Sequence, residues 1–154
     1  MIEIVEERQI AASPEHVWKV VDDTGRMAEW FTFAERMEVL EGEGLGRRQR
    51  LHGRWGTKRS EIDQTIVEHE PGRVLAWRHD AERLDGKPAP RFAKETIFTI
   101  ALEPDGPGTR VRMVSRQEPA SAVKGLVMKL FGTREVATNI RRSLERLAEL
   151  ATRD

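Results

Sequence analysis

The chain ends in a stretch that predicts one long helix, residues 119 to 154, and any fold must bury one face of it. Apolar or small residues recur there at alternating steps of four and three, which places them on one side of a helix. These residues are Leu126, Leu130, Thr133, Ala137, Ile140, Leu144, Leu147 and Ala151. The opposite side is rich in charged residues and suits solvent. We therefore expect the rest of the chain to form a surface that receives this helix.

The first half of the helix is its weaker part. Gly125 and Gly132 each disfavour helix by about 1 kcal/mol relative to alanine, so a bend is expected near Gly132 and Thr133. Off the stripe, Val123, Val127, Phe131 and Val136 widen the apolar face. A broad apolar face suits a helix that both packs and lines a cavity, and it suits a helix buried on two sides equally well.

The preceding residues predict one strand, two short helices and six further strands. The first strand covers residues 2–10, Ser13 and Pro14 begin the first helix, and residues 26–30 form a second helical turn. The other predicted strands are residues 37–40, 47–55, 57–68, 74–79, 93–103 and 109–117, with a long loop at 80–91. Short turns make neighbouring strands antiparallel, and their one-sided apolar pattern predicts a sheet covered on one face. We expect a single α+β domain, residues 1–154.

Charge and cysteine content exclude several functions. Lys plus Arg and Asp plus Glu both number 26, and this balance argues against a general binder of nucleic acids or anionic membranes. The absence of cysteine excludes disulfides, thiolate catalysis and cysteine-based zinc sites. No signal peptide or membrane-spanning run is recognisable, so we expect a cytoplasmic protein without an integral membrane segment.

Four stretches carry a resemblance to a known superfamily. They are Ala-Ser-Pro-Glu-His-Val-Trp at 12–18, Trp-Phe at 30–31, Gly-Glu-Gly-Leu-Gly-Arg at 42–47 and Val-Glu-His-Glu-Pro-Gly-Arg-Val-Leu-Ala-Trp at 67–77. The chain resembles the START-like (SRPBCC) superfamily, of the polyketide cyclase/dehydrase and lipid-transport type. Its first stretch suits the branch of Hsp90-ATPase-activator homologues nearly as well. The resemblance implies a helix-grip fold, a seven-stranded curved antiparallel sheet wrapped around the C-terminal helix with a deep cavity between them.

The strand pattern and the resemblance together nominate residues that would contact a ligand in that cavity. They are Trp30, Phe33, Ile62, Gln64, Trp77, His79, Phe98, Met113 and Leu130. Ordinary core packing explains the aromatic members equally well. Gln64 is a polar residue on an apolar strand face, so its amide needs a partner, either a ligand, a water molecule or a neighbour such as Thr96.

Only weak candidates for catalysis emerge. His79 shares a strand face with Trp77 and is the best titratable group to face a cavity, although a solvent-exposed position beside the following loop fits as well. Glu95 is a second candidate for proton transfer. The four histidines lack metal-ligand spacing, and no serine lies in a hydrolase motif. We expect neither a metal nor another cofactor.

Two further motifs have simpler explanations than binding. Gly42, Gly44 and Gly46 precede a predicted strand, whereas a phosphate-binding loop precedes a helix, so we expect a hairpin turn. A basic cluster around Trp55 has the composition of a nucleic-acid patch. With zero net charge, an outward-facing strand surface is the favoured interpretation and no nucleic-acid partner is expected. The cluster comprises Arg47, Arg48, Arg50, Arg54, Lys58 and Arg59.

Three functions follow from these observations. The first is binding or transport of a hydrophobic small molecule, such as a lipid, polyketide or isoprenoid, in the internal cavity. The second is a cyclase/dehydratase-type enzyme that uses the same cavity. The third is a protein-interaction module like the chaperone activators. A monomer and a homodimer are both compatible with the sequence.

Overall fold

The computed structural model describes residues 1–153, which form an antiparallel sheet and four α-helices in the predicted order. The strands are β1 (Ile2–Ile10), β2 (Arg36–Glu41), β3 (Arg48–Trp55), β4 (Lys58–Glu70), β5 (Val74–Leu84), β6 (Lys87–Pro88), β7 (Ala93–Asp105) and β8 (Gly108–Pro119). The helices are α1 (Pro14–Val21), α2 (Met27–Trp30), α3 (Ala122–Phe131) and α4 (Thr133–Arg153), with a 3-10 turn at Thr24–Arg26.

The sheet runs in the order β1-β8-β7-β5-β4-β3-β2, and every pairing is antiparallel. The predicted α+β helix-grip architecture is confirmed. The long loop predicted at 80–91 is wrong, because β5 continues to Leu84 and turns back into β6 through Asp85 and Gly86. Both turn residues have positive φ, 50° and 81°, a conformation that asparagine, aspartate and glycine tolerate best. Aspartate followed by glycine marks a tight hairpin turn here, not an open loop.

A long C-terminal helix is present, but the predicted helix over residues 119–154 is interrupted at the position where a bend is expected. Helix α3 ends at Phe131, Gly132 caps it, and α4 begins at Thr133, while Asp154 lies outside the described residues. The buried stripe belongs to α4 alone, where Ile140, Leu144 and Leu147 lie in the core. In α3, Leu126 and Leu130 are 58% and 66% exposed. No helix within residues 1–153 combines the length and apolar character needed to cross a bilayer.

The core lies between the inner face of the sheet and helices α1, α2 and α4. Helix α1 begins as predicted, because the Ser13 hydroxyl accepts a hydrogen bond from the His16 amide at 3.2 Å and Pro14 occupies the first turn. Its fully buried face contains Val17, Val20 and Val21. Burying one such side chain contributes about 1.5–3 kcal/mol to the free energy of unfolding. The positions of α1 and α4 are therefore determined mainly by their buried apolar side chains.

The sheet splits between β5 and β7, and this split positions the site described below. The two strands pair only from Val74 opposite Ala101 to Arg78 opposite Ile97. Beyond that point β5 pairs with β4 and β6, whereas β7 pairs with β8. The backbones therefore diverge and open a gap in the sheet next to His79.

Candidate functional site

Five aromatic side chains occupy the space between the sheet and α4. This aromatic cluster consists of Trp30, Phe31, Phe33, Trp77 and Phe98. The rings of Phe31 and Trp77 meet edge to face at 5.5 Å between centroids, and those of Trp77 and Phe98 stack at 5.8 Å. Both are favourable arrangements of aromatic pairs. Trp30 and Trp77 are completely buried, whereas Phe33 is only half-buried. Phe33 is therefore the member of the cluster nearest to solvent.

The loop that carries Phe31 and Phe33 is fastened to α4 and to β3. The Thr32 amide donates to the Ser143 hydroxyl at 3.0 Å, and the Thr32 hydroxyl donates to the Asn139 carbonyl at 3.1 Å. On the other side, a Cβ placed on Gly53 would lie 2.6 Å from the Phe33 carbonyl oxygen. Neither Ser143 nor Gly53 could be predicted as part of the site. A hydroxyl that accepts from a loop amide and a close approach of two backbone segments leave no trace in a hydropathy pattern. The only sequence feature at these positions is a small residue close to a buried apolar one, Gly53 near Leu51 and Ser143 beside Leu144.

A chain of buried polar side chains leads from the surface toward the cluster. The Arg47 Nε donates to Gln49 Oε1 at 3.1 Å, and Gln49 Nε2 donates to Gln64 Oε1 at 2.8 Å. The predicted outward position of Arg47 is wrong, because only 8% of this residue is exposed. Burial lowers the pKa of Arg47, and Asp22 at 4.0 Å opposes this effect. A neighbour therefore satisfies the oxygen of the Gln64 amide, and that neighbour is Gln49, whereas the sequence suggested Thr96 as an example.

Five buried polar atoms near the cluster have no hydrogen-bond partner within residues 1–153. They are Trp30 Nε1, Gln64 Nε2, Trp77 Nε1, His79 Nδ1 and Ser115 Oγ. The strand register places Gln64 opposite His79, and Phe98 opposite both Trp77 and Ser115. Three of the five atoms can only donate, whereas the histidine nitrogen and the serine hydroxyl can donate or accept. A buried donor without a partner costs about 1–3 kcal/mol, so an acceptor supplied to these groups would be bound favourably.

The gap between β5 and β7 forms a pocket of about 220 Å³. Its lining residues are His79, Asp80, Ala81, Glu82, Pro88, Ala89, Arg91, Ala93, Lys94, Glu95 and Thr96. The His79 ring stacks on Phe98 at 5.7 Å, so the pocket adjoins the aromatic cluster. His79 Nδ1 lies 3.7 Å from Glu82 Oε1. Interaction with His79 lowers the pKa of Glu82, while partial burial opposes the shift.

The structure brings most of the predicted site residues together. Trp30, Phe33, Trp77, Phe98 and His79 are joined by ring contacts, and both weak catalytic candidates, His79 and Glu95, line one pocket. The remaining candidates lie apart from these ring contacts: Gln64 and Met113 are buried in the sheet, Ile62 is half-buried on β4, and Leu130 is exposed on α3. The ligand contacts and catalytic roles of all these residues stay predictions.

Among the residues that the structure describes, no group of histidine and carboxylate side chains is arranged to hold a metal ion.

Comparison with known proteins places the fold in a defined family. A family model described as polyketide cyclase / dehydrase and lipid transport matches residues 1–152. A search of curated proteins found no match.

Solved structures share the fold at low sequence identity. The protein TTHA0849 from Thermus thermophilus has a TM-score of 0.73 at 19% identity, covering 98% of this chain and 97% of its own. Ara h 8.0201 has a TM-score of 0.68 at 13% identity, with 99% of both chains covered. DynU16, from the dynemicin biosynthetic locus, has a TM-score of 0.66 at 16% identity over 96% of this chain and 46% of its own. At these identities the likeness shows the fold alone. With the family model spanning nearly every residue, the chain belongs to the polyketide cyclase/dehydrase and lipid transport family.

Proposed function

We propose that the protein binds a hydrophobic small molecule that carries carbonyl or other acceptor oxygens. The observation that carries this proposal is the set of buried donors beside the aromatic cluster, Trp30 Nε1, Gln64 Nε2 and Trp77 Nε1, which have no acceptor in the described part of the chain. An apolar site with a few well-placed polar groups is the usual composition of a small-molecule site. Membership in a family described by polyketide cyclisation and lipid transport supports the same class of ligand.

Binding in this interior requires movement of aromatic side chains. The β5–β7 pocket, at about 220 Å³, is smaller than the roughly 300–1,000 Å³ usual for drug-sized ligands. Phe33 is half-buried and contacts Phe98 with 5.9 Å between ring centroids, and Phe98 in turn stacks on His79, which lines the pocket. Displacing Phe33 would enlarge the pocket toward the tryptophans. We infer that a ligand enters at the β5–β7 gap or beneath the Phe33 loop and replaces ring contacts with its own.

A matched pair of ligands tests the proposal. Naphthoquinone and naphthalene have the same fused-ring skeleton, but only the quinone carries acceptor oxygens, and the protein has no cysteine for a quinone to alkylate. We expect the quinone to quench the buried tryptophans and bind about tenfold or more tightly than naphthalene, since each satisfied donor contributes about 1 kcal/mol. Equal affinity for both compounds would remove the role of the donors. No binding of either, with no small molecule co-purifying in native mass spectra, would contradict the proposal.

A second candidate function is dehydration in the same pocket. His79 and Glu95 both line it, and Glu82 lies 3.7 Å from His79, so three proton-transfer groups surround one space. In such a reaction one group takes the proton from the carbon beside a ketone, and a second protonates the departing hydroxide, which leaves as water.

Diacetone alcohol, which dehydrates to a conjugated enone, is a suitable probe for this candidate. We expect His79→Gln to lower the rate of enone formation about tenfold or more while naphthoquinone binding stays within about twofold. Absence of catalysed dehydration, or an unchanged rate in the variant, would leave binding as the function.

A further inference from the structure

The antiparallel register brings several turns to one end of the sheet. At this end β1 begins with Ile2 opposite Gln117 of β8, and β7 begins with Ala93 opposite Pro119. The β3–β4 turn and the β5–β6 turn lie there too, because β3 and β5 end where β4 begins. Helix α3 follows β8 directly at the same place. We call this the α3 end of the sheet.

Exposed large apolar side chains are concentrated at the α3 end. Those located there are Met1, Trp55, Phe92, Val123, Leu126, Val127, Leu130 and Phe131, which are 36–77% exposed. The others that the structure describes, Val5, Val39 and Leu45, lie in the middle of edge strands or at the opposite end. Five of the eight belong to α3 itself, a ten-residue helix. Such a cluster is unfavourable on a surface that faces only water. It is typical of a surface that contacts another apolar surface, such as a protein partner or a membrane.

Basic residues surround these apolar side chains. Residues 119–134 contain Lys124, Lys129 and Arg134 and no acidic residue. The β3–β4 turn contributes Arg54, Lys58 and Arg59, and residues 85–94 contribute Lys87, Arg91 and Lys94 against the single acid Asp85. Acidic residues lie at this end as well. Glu35 and Glu118 pair with Arg54 at 3.2 Å and Lys94 at 3.4 Å, and the exposed Glu3, Glu82, Glu95 and Glu135 flank the same segments, so the excess of basic residues is confined to α3 and the residues beside it.

The opposite end of the sheet carries charges of both signs. Its turns and the adjacent strand ends hold Glu41, Glu43, Glu70 and Asp105, together with the exposed side chains of Arg8, Arg48, Arg73 and Arg110. Within a chain of zero formal net charge, residues 119–134 are therefore a locally basic segment. A net charge of zero argues against membrane binding only for the molecule averaged as a whole, and not for this segment.

We propose that the α3 end docks on an anionic lipid bilayer. A helix with large apolar side chains flanked by lysines lies in the plane of the membrane interface, and an exposed tryptophan favours the same depth. Each basic residue near an anionic surface adds attraction, so Lys124, Lys129 and Arg134 favour docking through α3. A protein partner is the poorer fit, because the cores of protein interfaces are depleted in lysine.

Docking in this orientation has a consequence for the β5–β7 pocket. The pocket shares Lys94 with the groove beneath α3, a groove of about 570 Å³ lined also by Met1, Leu126 and Lys129. Both therefore open at the end that faces the bilayer. If the proposed ligand binding is correct, a hydrophobic ligand passes between membrane and pocket without crossing water. This last step rests on the proposed function, whereas the docking itself does not.

Vesicle flotation of the full chain tests the docking. We expect binding to phosphatidylcholine vesicles that contain roughly 30% phosphatidylserine, little binding to phosphatidylcholine alone, and release at about 0.5 M salt, where charges are screened within a few ångströms.

Leu130→Ser with Phe131→Ser should weaken binding about tenfold or more, and Lys129→Gln about fivefold. The matched control is Leu45→Ser at the opposite end, where Leu45 is 68% exposed, close to the 66% of Leu130. Trp55, 72% exposed, should shift its emission to the blue, and Trp55→Phe should abolish that shift.

Three outcomes would overturn the docking proposal. One is failure to bind anionic vesicles, and another is equal, salt-independent binding to neutral ones. The third is a wild-type dimer that the α3 variant converts to a monomer without any vesicle binding, which would make the α3 end an interface between two copies. Naphthoquinone binding is measured without vesicles, so its success or failure is independent of these results.

Discussion

Ser115 and Ser143 are equally buried, at 1% and 0% exposure, but their hydroxyls differ in partners. Ser143 accepts from the Thr32 amide, whereas Ser115 Oγ has no partner within the described chain. We therefore expect Ser143→Ala to cost about 1–2 kcal/mol of unfolding free energy and Ser115→Ala to be neutral or stabilising by up to about 1 kcal/mol. Urea unfolding of both variants measures this difference. Equal losses would mean that Ser115 has a partner in solution.

Asp63 links two strands on the outer face of the sheet. Burial raises the pKa of Asp63, but hydrogen bonds from Arg83 at 2.9 Å and Arg50 at 2.6 Å outweigh it and lower the pKa from 3.8 to about 2. Because the folded pKa lies below the unfolded one, the stabilisation is present above about pH 4 and is lost as the pH falls toward 2.

The expected size of this effect is about 1–2 kcal/mol once solvent screening is discounted. Between about pH 4.5 and pH 2, the free energy of unfolding of Asp63→Asn should therefore fall by about this much less than that of the wild type, as measured by urea unfolding at both pH values. Glu103→Gln, at an exposed position on β7, controls for the removal of one carboxylate. A wild-type acid dependence retained in Asp63→Asn would show that the ion pair does not form in solution.

At the scale of elements, Gly53 decides how the Phe33 loop meets β3. A Cβ there would lie 2.6 Å from the Phe33 carbonyl oxygen, closer than real contacts, so Gly53→Ala must move the loop or the strand. We expect a loss of about 1–3 kcal/mol in unfolding free energy, with altered tryptophan emission. Gly25→Ala is the matched control, since its nearest atom is the Asp23 side-chain oxygen at 3.3 Å, which can move. Similar stability of the two variants would contradict the close approach.

The same elements show what the sequence can predict. Ser13 and Pro14 predicted the start of α1, and the spacing of Ile140, Leu144 and Leu147 predicted the buried face of α4, because capping and periodicity are local properties. The split between β5 and β7 depends on which strands each of them pairs with beyond Arg78 and Ile97. Those pairings join residues that are far apart in the sequence, so no local pattern predicts them. The break at Gly132 separates α3 from α4, so the apolar face of α4 is buried in the core while Leu130 on α3 stays exposed. A helical pattern reports only that a face is apolar, not what covers it.

The candidate site divides in the same way. The alternation on β5 and β7 predicted the inward position of Trp77 and Phe98, since each strand presents every second residue to the core. The buried position of Arg47 could not be predicted, because Gln49 and Gln64 compensate its burial from two different strands. Likewise, the sequence nominated His79 or a nearby carboxylate such as Glu95 for proton transfer, and the tertiary fold shows that both line one pocket.

For the molecule as a whole, the central question is how a ligand reaches an interior filled by the aromatic cluster. The Phe33 loop is held on α4 by Thr32 and Ser143, whose hydroxyl oxygens lie 3.1 Å apart, so cysteines at these positions would bring their sulfur atoms close together. The chain contains no other cysteine, so a Thr32→Cys, Ser143→Cys variant has one possible intramolecular bridge.

If the Phe33 loop must move away from α4 to admit the ligand, we expect the oxidised variant to bind naphthoquinone at least about tenfold more slowly than the same protein after reduction. Stopped-flow tryptophan quenching measures both rates, with each single cysteine variant as a control for the lost hydroxyl. Equal rates in the oxidised and reduced forms would exclude the loop as the entrance and leave the β5–β7 gap, which the bridge does not close.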